Sequence, residues 1–346
     1  MMRTDADLLH IDTLDVDDQV LQDMRAFNRK LARAPRFRFR NRWTPRLAQA
    51  LLRLSQIGAD RGLAHAGIRV ERAIAAVDGL RVPVRILRPA GTATGVVLDI
   101  HGGGWVIGNA CMNDKLNAAM VAACGVAVVS VDYRLATGTP LQGIMDDCLA
   151  AARWLLQGGV PDCAGLPVFI VGESAGGHLA AATLLRLQAW PELLRQVAGA
   201  VLYYGVYDLA GSASVRDAGP DTLVLDGPGM LPAMRMLTPG MLDAERRRPP
   251  LSPLYGDLAG MPPALMFFGE RDPLRDDTRL MAARWRETAE VDLVLLPEAP
   301  HGVIHFPTGM ARRTTAHSHA WLHARLAASA PIFHKTKVGL HGAGLQ

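Results

Sequence analysis

The chain has 346 residues, 49% of them hydrophobic and 20% charged, with a formal charge of +4. That length and composition provide for a large buried core, in one elaborated domain or two ordinary ones, and exclude wholesale disorder. So small a net charge gives no electrostatic case for a nucleic-acid partner, and no uninterrupted apolar run approaches the ~18 residues of a membrane-spanning helix.

Met1 to Val20 is acidic and lacks the apolar run of a signal peptide, so a cytoplasmic protein is expected. The four cysteines, Cys111, Cys124, Cys148 and Cys163, match no C-x-x-C or zinc pattern and read as free, buried thiols in a reducing compartment. Asp17–Leu31 and Thr44–Ile57 carry helical apolar spacing, with Thr44 and Pro45 as N-cap and first helical residue. Between Arg25 and Gly62 lie eleven cationic residues and one acid, Asp60, and Arg36-Phe37-Arg38-Phe39-Arg40 alternates charge with aromatic rings. A solvated face is the favoured reading of this segment; contact with anionic lipid and steering of acidic substrates stay open.

From Ile68 the pattern changes to short strand-like runs. Ile68–Ala75 and Arg81–Leu87 read as a hairpin turning at Asp78-Gly79. Gly95–Ile100, Val126–Val131, Val168–Val171, Ala198–Tyr203, Ala264–Phe268 and Val291–Leu296 follow, most of them continuously apolar, as strands covered on both faces are. Between them fall helical patterns at Asp114–Ala123, Leu141–Leu156, Ala175–Leu187, Arg275–Thr288 and Met310–Leu326. Alternation of this kind predicts an α/β fold with a mostly parallel sheet. Between Tyr204 and Pro263 no strand is predicted, a length that marks an inserted lid or cap. The expected division is a helical cap segment at 1–65, a catalytic domain at 66–328 with a cap insertion at about 205–262, and a tail at 329–346.

Two motifs carry chemistry. Gly172-Glu173-Ser174-Ala175-Gly176 is a G-x-S-x-G between an apolar strand and an Ala/Leu-rich helix, the context of a nucleophile elbow that presents the Ser174 hydroxyl at a helix N-terminus. His101-Gly102-Gly103-Gly104-Trp105 follows a strand and offers backbone N–H groups unobstructed by Cβ atoms, as an oxyanion hole requires. After Ser174 the fold's chain order calls for an acid and then a histidine. Asp272 in Asp272-Pro273-Leu274 has Glu270, Asp276 and Asp277 as rivals; His301 in Pro300-His301-Gly302 has His305.

Across Leu80 to Leu326 the chain resembles the hormone-sensitive-lipase-like esterases, through HGGG, Gly172-Glu173-Ser174-Ala175-Gly176-Gly177, Asp132-Tyr133-Arg134-Leu135-Ala136, Ser252-Pro253-Leu254 and Asp272-Pro273-Leu274-Arg275-Asp276. The resemblance implies an α/β-hydrolase fold with an eight-stranded sheet and helical cap, and a triad of Ser174, Asp272 and His301. It also implies oxyanion donors at Gly103, Gly104 and Ala175, and hydrolysis of short- to medium-chain acyl esters without cofactor or metal. Amidase or lactonase activity through the same triad stays open, as does a non-catalytic ligand-binding role, against which the presence of His301 counts. Trp105, Tyr204 and Met230 are the candidate pocket residues, and a homodimer fits the family habit. Two departures stand out: Thr137-Gly138 where the family has Pro-Glu, and Val303 where it has Phe. His317, His319 and His323 on the last helix read as surface or interface histidines, not as a zinc site.

Overall fold

The computed structural model describes residues 10–37 and 43–329. Arg38, Phe39 and Arg40 of the alternating arginine–aromatic run, and all but the first residue of the expected tail, lie outside the described residues. The eight expected strands are present and a ninth joins them. They are β1 (Asp12–Thr13), β2 (Arg69–Val77), β3 (Leu80–Arg88), β4 (Val96–Ile100), β5 (Ala127–Val131), β6 (Val168–Glu173), β7 (Val197–Tyr203), β8 (Ala264–Gly269) and β9 (Val291–Leu296). They form one sheet in the order β1-β9-β8-β7-β6-β4-β5-β3-β2. The two pairings of β3, with β2 and with β5, are antiparallel, and every other neighbour pair is parallel. The extra strand, β1, is two exposed polar residues paired to β9 at the edge, with Leu14 N–H donating to the Leu295 carbonyl at 2.9 Å and the flanking Ile11 and Leu14 packed into the core. It has no apolar pattern to announce it.

The helices are α1 (Asp18–Leu31), α2 (Trp43–Ser55), α3 (Ala59–His65), α4 (Asp114–Cys124), α5 (Leu141–Leu156), α6 (Ala175–Leu187), α7 (Pro191–Leu194), α8 (Ala213–Arg216), α9 (Gly227–Leu237), α10 (Asp243–Arg246), α11 (Arg275–Arg286) and α12 (Gly309–Ser329). Among the described residues no helix is long and apolar enough to cross a membrane. Strand side chains alternate between two cores, as the period of two demands. Leu98, Val129, Ile170 and Met266 face the core built with α5, α6 and α11; Val97, Val128, Phe169 and Leu265 face the core built with α1, α4 and α12. Coverage on both faces is why every residue of β4, β5, β6 and β8 is buried.

Ends are set locally. Asp17 caps α1 by accepting from Val20 N–H at 2.9 Å. Helix α2 opens at Trp43, one residue before the expected cap, so Thr44 and Pro45 both lie in its first turn, where the missing proline N–H costs no hydrogen bond. The β2–β3 turn has Asp78 at φ 50° and Gly79 at φ 80°, the left-handed pair of a two-residue hairpin. No strand intervenes between β7 and β8; α8, α9 and α10 occupy that stretch.

One buried charge ties the sheet to its covering helices. Arg85 on β3 is 2% exposed. Its guanidinium forks to both Asp114 oxygens on α4 at 2.9 Å and to Asp60 on α3 at 2.6 Å. Removing the cation leaves a half-buried carboxylate unpaired, so Arg85→Leu should lower unfolding free energy by about 3 kcal/mol in urea titrations. A loss below about 1 kcal/mol would mean that solvent already screens the fork.

Candidate active site

Strand β6 ends at Glu173 and α6 begins at Ala175, so Ser174 makes the whole turn, at φ 55° and ψ −120°. A non-glycine residue held there stores about 1–3 kcal/mol of strain. Its surroundings enforce it: Ser174 N–H donates to the Tyr203 carbonyl at 2.9 Å, and the Ser174 carbonyl accepts from His178 N–H at 3.2 Å. The flanking glycines are needed for contact. A Cβ on Gly172 would strike the Gly176 carbonyl, and one on Gly176 would strike the carbonyl of Ile100 at the end of β4.

The loops after β8 and β9 bring the other two expected residues to this turn. His301 Nε2 lies 2.9 Å from Ser174 Oγ, and His301 Nδ1 lies 2.8 Å from Asp272 Oδ2. Asp272 is fully buried and its other oxygen accepts from Leu274 N–H at 2.8 Å. With the carboxylate on Nδ1, that nitrogen carries the proton and Nε2 presents its lone pair to the serine hydroxyl. The rivals are engaged elsewhere. Glu270 accepts from Glu298 N–H at 2.7 Å, and Asp276 from Ser214 N–H at 3.0 Å. Asp277 is buried under the N–H groups of Tyr207 and Asp208, at 2.7 and 2.9 Å, and burial pushes its carboxyl up to about 7. His305 pairs with Glu173, Nε2 to Oε1 at 3.6 Å, not with Ser174.

The glycine loop lies against the same turn. Gly103, Gly104 and Trp105 take φ values of 101°, 61° and 63°. A Cβ on Gly103 would collide with the Ile107 carbonyl. Among the described residues the N–H groups of Gly103, Gly104 and Ala175 have no acceptor. Three contacts lock the loop. Gly102 N–H donates to Glu173 Oε1 at 2.6 Å, tying it to the residue before Ser174. Tyr133 stacks on His101 with centroids 4.1 Å apart and donates its hydroxyl to the His101 carbonyl at 2.7 Å. Trp105 Nε1–H donates to His178 Nδ1 at 3.2 Å, and His178 Nε2–H donates onward to the Leu251 carbonyl at 2.8 Å. Burial holds His178 down to about 4, so it is neutral and free to accept from the indole.

Ser174, His301, Gly103, Gly104 and Trp105 line a cavity of about 1000 Å³ that is also lined by Leu225 and, from α9, by Met230, Met234 and Leu237. Trp105 and Met230 therefore lie where a pocket residue should. Tyr204 does not: it is 1% exposed, at φ 40°, and packs edge-on behind the His301 ring at 4.8 Å between centroids. Its apolar strand context gave no sign that the chain turns its side chain inward there. Glu173 and His305 also line the cavity and were not singled out as partners by any motif. Burial would raise the Glu173 carboxyl, but its pairing with His305 and the Gly102 N–H bring it below the ordinary value; burial would lower His305, but Glu173 holds it above. Each side chain of the pair thus favours the charged form of the other.

Residues 97–305 match the family defined by the α/β-hydrolase fold. The carboxylesterase NlhH of Mycobacterium tuberculosis is 33% identical over 251 residues, covering 69% of this chain and 76% of that protein. The ethyl acetate hydrolase of Pseudomonas putida is 31% identical over 238 residues, covering 65% and 72%. The crystal structure of esterase LipW from Mycobacterium marinum superposes with a TM-score of 0.77 at 26% identity, covering 89% of this chain and 97% of that one. The chain belongs to the α/β-hydrolase family, in its hormone-sensitive-lipase-like branch. Within that branch it is a serine carboxylesterase.

The Trp105–His178 contact has a pH signature. His178 titrates at about 4 when folded and at 6.5 when free. Between those values the unfolded chain binds the extra proton, so stability falls as pH drops through 6.5 and levels off near 4. The loss reaches about 3 kcal/mol. Urea titrations across this range should show a shallower acid limb for His178→Gln than for the wild type; identical limbs would show that His178 is protonated in the fold.

Proposed function

We propose that Ser174 is the nucleophile, His301 the general base and acid, and Asp272 the group that fixes the imidazole. Ser174 Oγ attacks the acyl carbonyl while its proton moves to His301 Nε2. The N–H groups of Gly103, Gly104 and Ala175 receive the oxyanion of the tetrahedral intermediate. As the intermediate collapses, His301 gives the proton to the departing alcohol. Water, deprotonated by the same nitrogen, then releases the acid from the acyl-enzyme. The observation that carries this assignment is the unbroken relay from Asp272 through His301 to Ser174, at 2.8 and 2.9 Å, opening into the cavity.

A preference for short- to medium-chain acyl esters is supported by the cavity itself. Its size is at the upper end of small-ligand pockets, and its cap-side wall is methionine-rich and apolar, a surface that adapts to unbranched chains. The segment up to residue 65 and the insertion at about 205–262 serve as the cap, since Pro45 and α9 both contribute to the cavity wall. The four unpaired cysteines favour a cytoplasmic setting. No observation favours amide or lactone substrates over esters.

Ser174→Ala should lower kcat on p-nitrophenyl butyrate by about 10⁴–10⁶ with the circular dichroism spectrum retained. Near-normal turnover by that variant would refute the assignment.

A further inference from the structure

Helix α2 is mounted with its polar side inward. Gln49 exchanges two hydrogen bonds with the Gly108 backbone, at 2.8 Å each. Gln56, just past the helix, exchanges two with the Asn109 side chain, at 3.0 and 2.7 Å. With 3.6 residues per turn, this orientation turns Leu47, Leu51 and Leu54 to the opposite side. They are 65%, 58% and 62% exposed, and Ile57 beyond the helix end is 79% exposed. An ordinary surface helix does the reverse, burying its leucines and solvating its amides. Four large aliphatic side chains aligned in water mark an interaction surface.

The occupant is indicated by charge and by position. The stretch from Arg25 to Gly62 holds eleven cations against the single acid Asp60, which is itself paired to Arg72 and Arg85. Arg53 on α2 and Arg61 on α3 are exposed and make no ion pair among the described residues. An aliphatic stripe bordered by arginines is complementary to an anionic lipid surface, where the leucines enter the acyl boundary and the guanidinium groups meet phosphates. The stripe also adjoins the catalytic cavity. A groove lined by Leu54, Ile57, Val106 and Thr137 runs beside it, and Val106 and Thr137 continue into the cavity wall.

We propose that α2 is an interfacial docking helix, which seats the Leu47–Leu51–Leu54–Ile57 stripe on an anionic lipid surface beside the cavity. Because Gln49 is bonded to Gly108, at the end of the glycine loop that lines the cavity, docking is also mechanically joined to the site. That last link rests on the carboxylesterase reading; the docking itself does not.

The test is co-sedimentation of the full-length protein with vesicles of phosphatidylcholine and phosphatidylglycerol at low salt, beside vesicles of phosphatidylcholine alone. Wild type should sediment with the anionic vesicles and be released by salt. Leu47→Gln/Leu51→Gln should lower that partitioning by about tenfold or more, with kcat/KM on a dissolved short ester unchanged. Failure of the wild type to bind, or undiminished binding by the double variant, overturns the proposal. So does a wild-type dimer in sedimentation velocity that the double variant converts to monomer, which would assign the stripe to a second copy of the chain. Loss of soluble-ester turnover by the wild type itself would strike the carboxylesterase reading and leave the docking result to be judged on the vesicles alone.

Discussion

Strand β6 reaches helix α6 through a single residue, and the placement of the glycine loop beside it follows from the steric demands of that turn. A chain reversing direction at one non-glycine residue needs left-handed φ, and it needs nothing but backbone on the inner side. Gly172 and Gly176 meet that second demand, and the approach they allow brings α6 against the Ile100 carbonyl at the end of β4. The same closeness fixes where the next loop begins, so the glycine run after β4 lies beside Ser174. Parallel strands then finish the arrangement. Since β4, β6, β8 and β9 all run the same way, the loops leaving their carboxyl ends emerge on one edge of the sheet. Residues distant in sequence meet there without any long excursion of the chain.

A second constraint is that the charged groups along this edge are buried. Asp272, Glu173, Asp277 and His178 are all buried, and each has a hydrogen-bond partner. A buried carboxylate is tolerable only with donors around it. Asp272 has His301 and the Leu274 N–H; Glu173 has the Gly102 N–H and His305. The bonds that lower the desolvation cost of these charges are also the bonds that orient the loops. Stability and positioning therefore cannot be separated at this site, and Glu173, which joins the glycine loop to the serine turn, belongs to both.

The strands were legible because burial on both faces leaves a continuous apolar signature, and the elbow because its glycines are spaced by contact. Asp272 and His301 were legible as loop residues after the right strands, yet spacing alone could not separate them from Asp277 or His305. Only the fold reveals that Asp277 faces the backbone of the β7–β8 connection and that His305 faces Glu173. Tyr204 is a candidate pocket residue only by the family resemblance, and a left-handed φ turns it against the imidazole instead. The two-residue β1 had no side-chain signal to read. Helix α2 is the instructive case: its period was correct, but the pattern cannot say which face is inward, and here four amide hydrogen bonds outweigh the usual preference for burying leucine.

The proposed reaction has one serine, activated by one histidine, form a covalent acyl intermediate. The most direct measurement is intact-mass and peptide-mapping analysis after treatment with an organophosphonate ester. A single adduct is expected on the peptide carrying Ser174, forming far more slowly in His301→Ala. Full activity surviving stoichiometric labelling, or an adduct on any other residue, would contradict it.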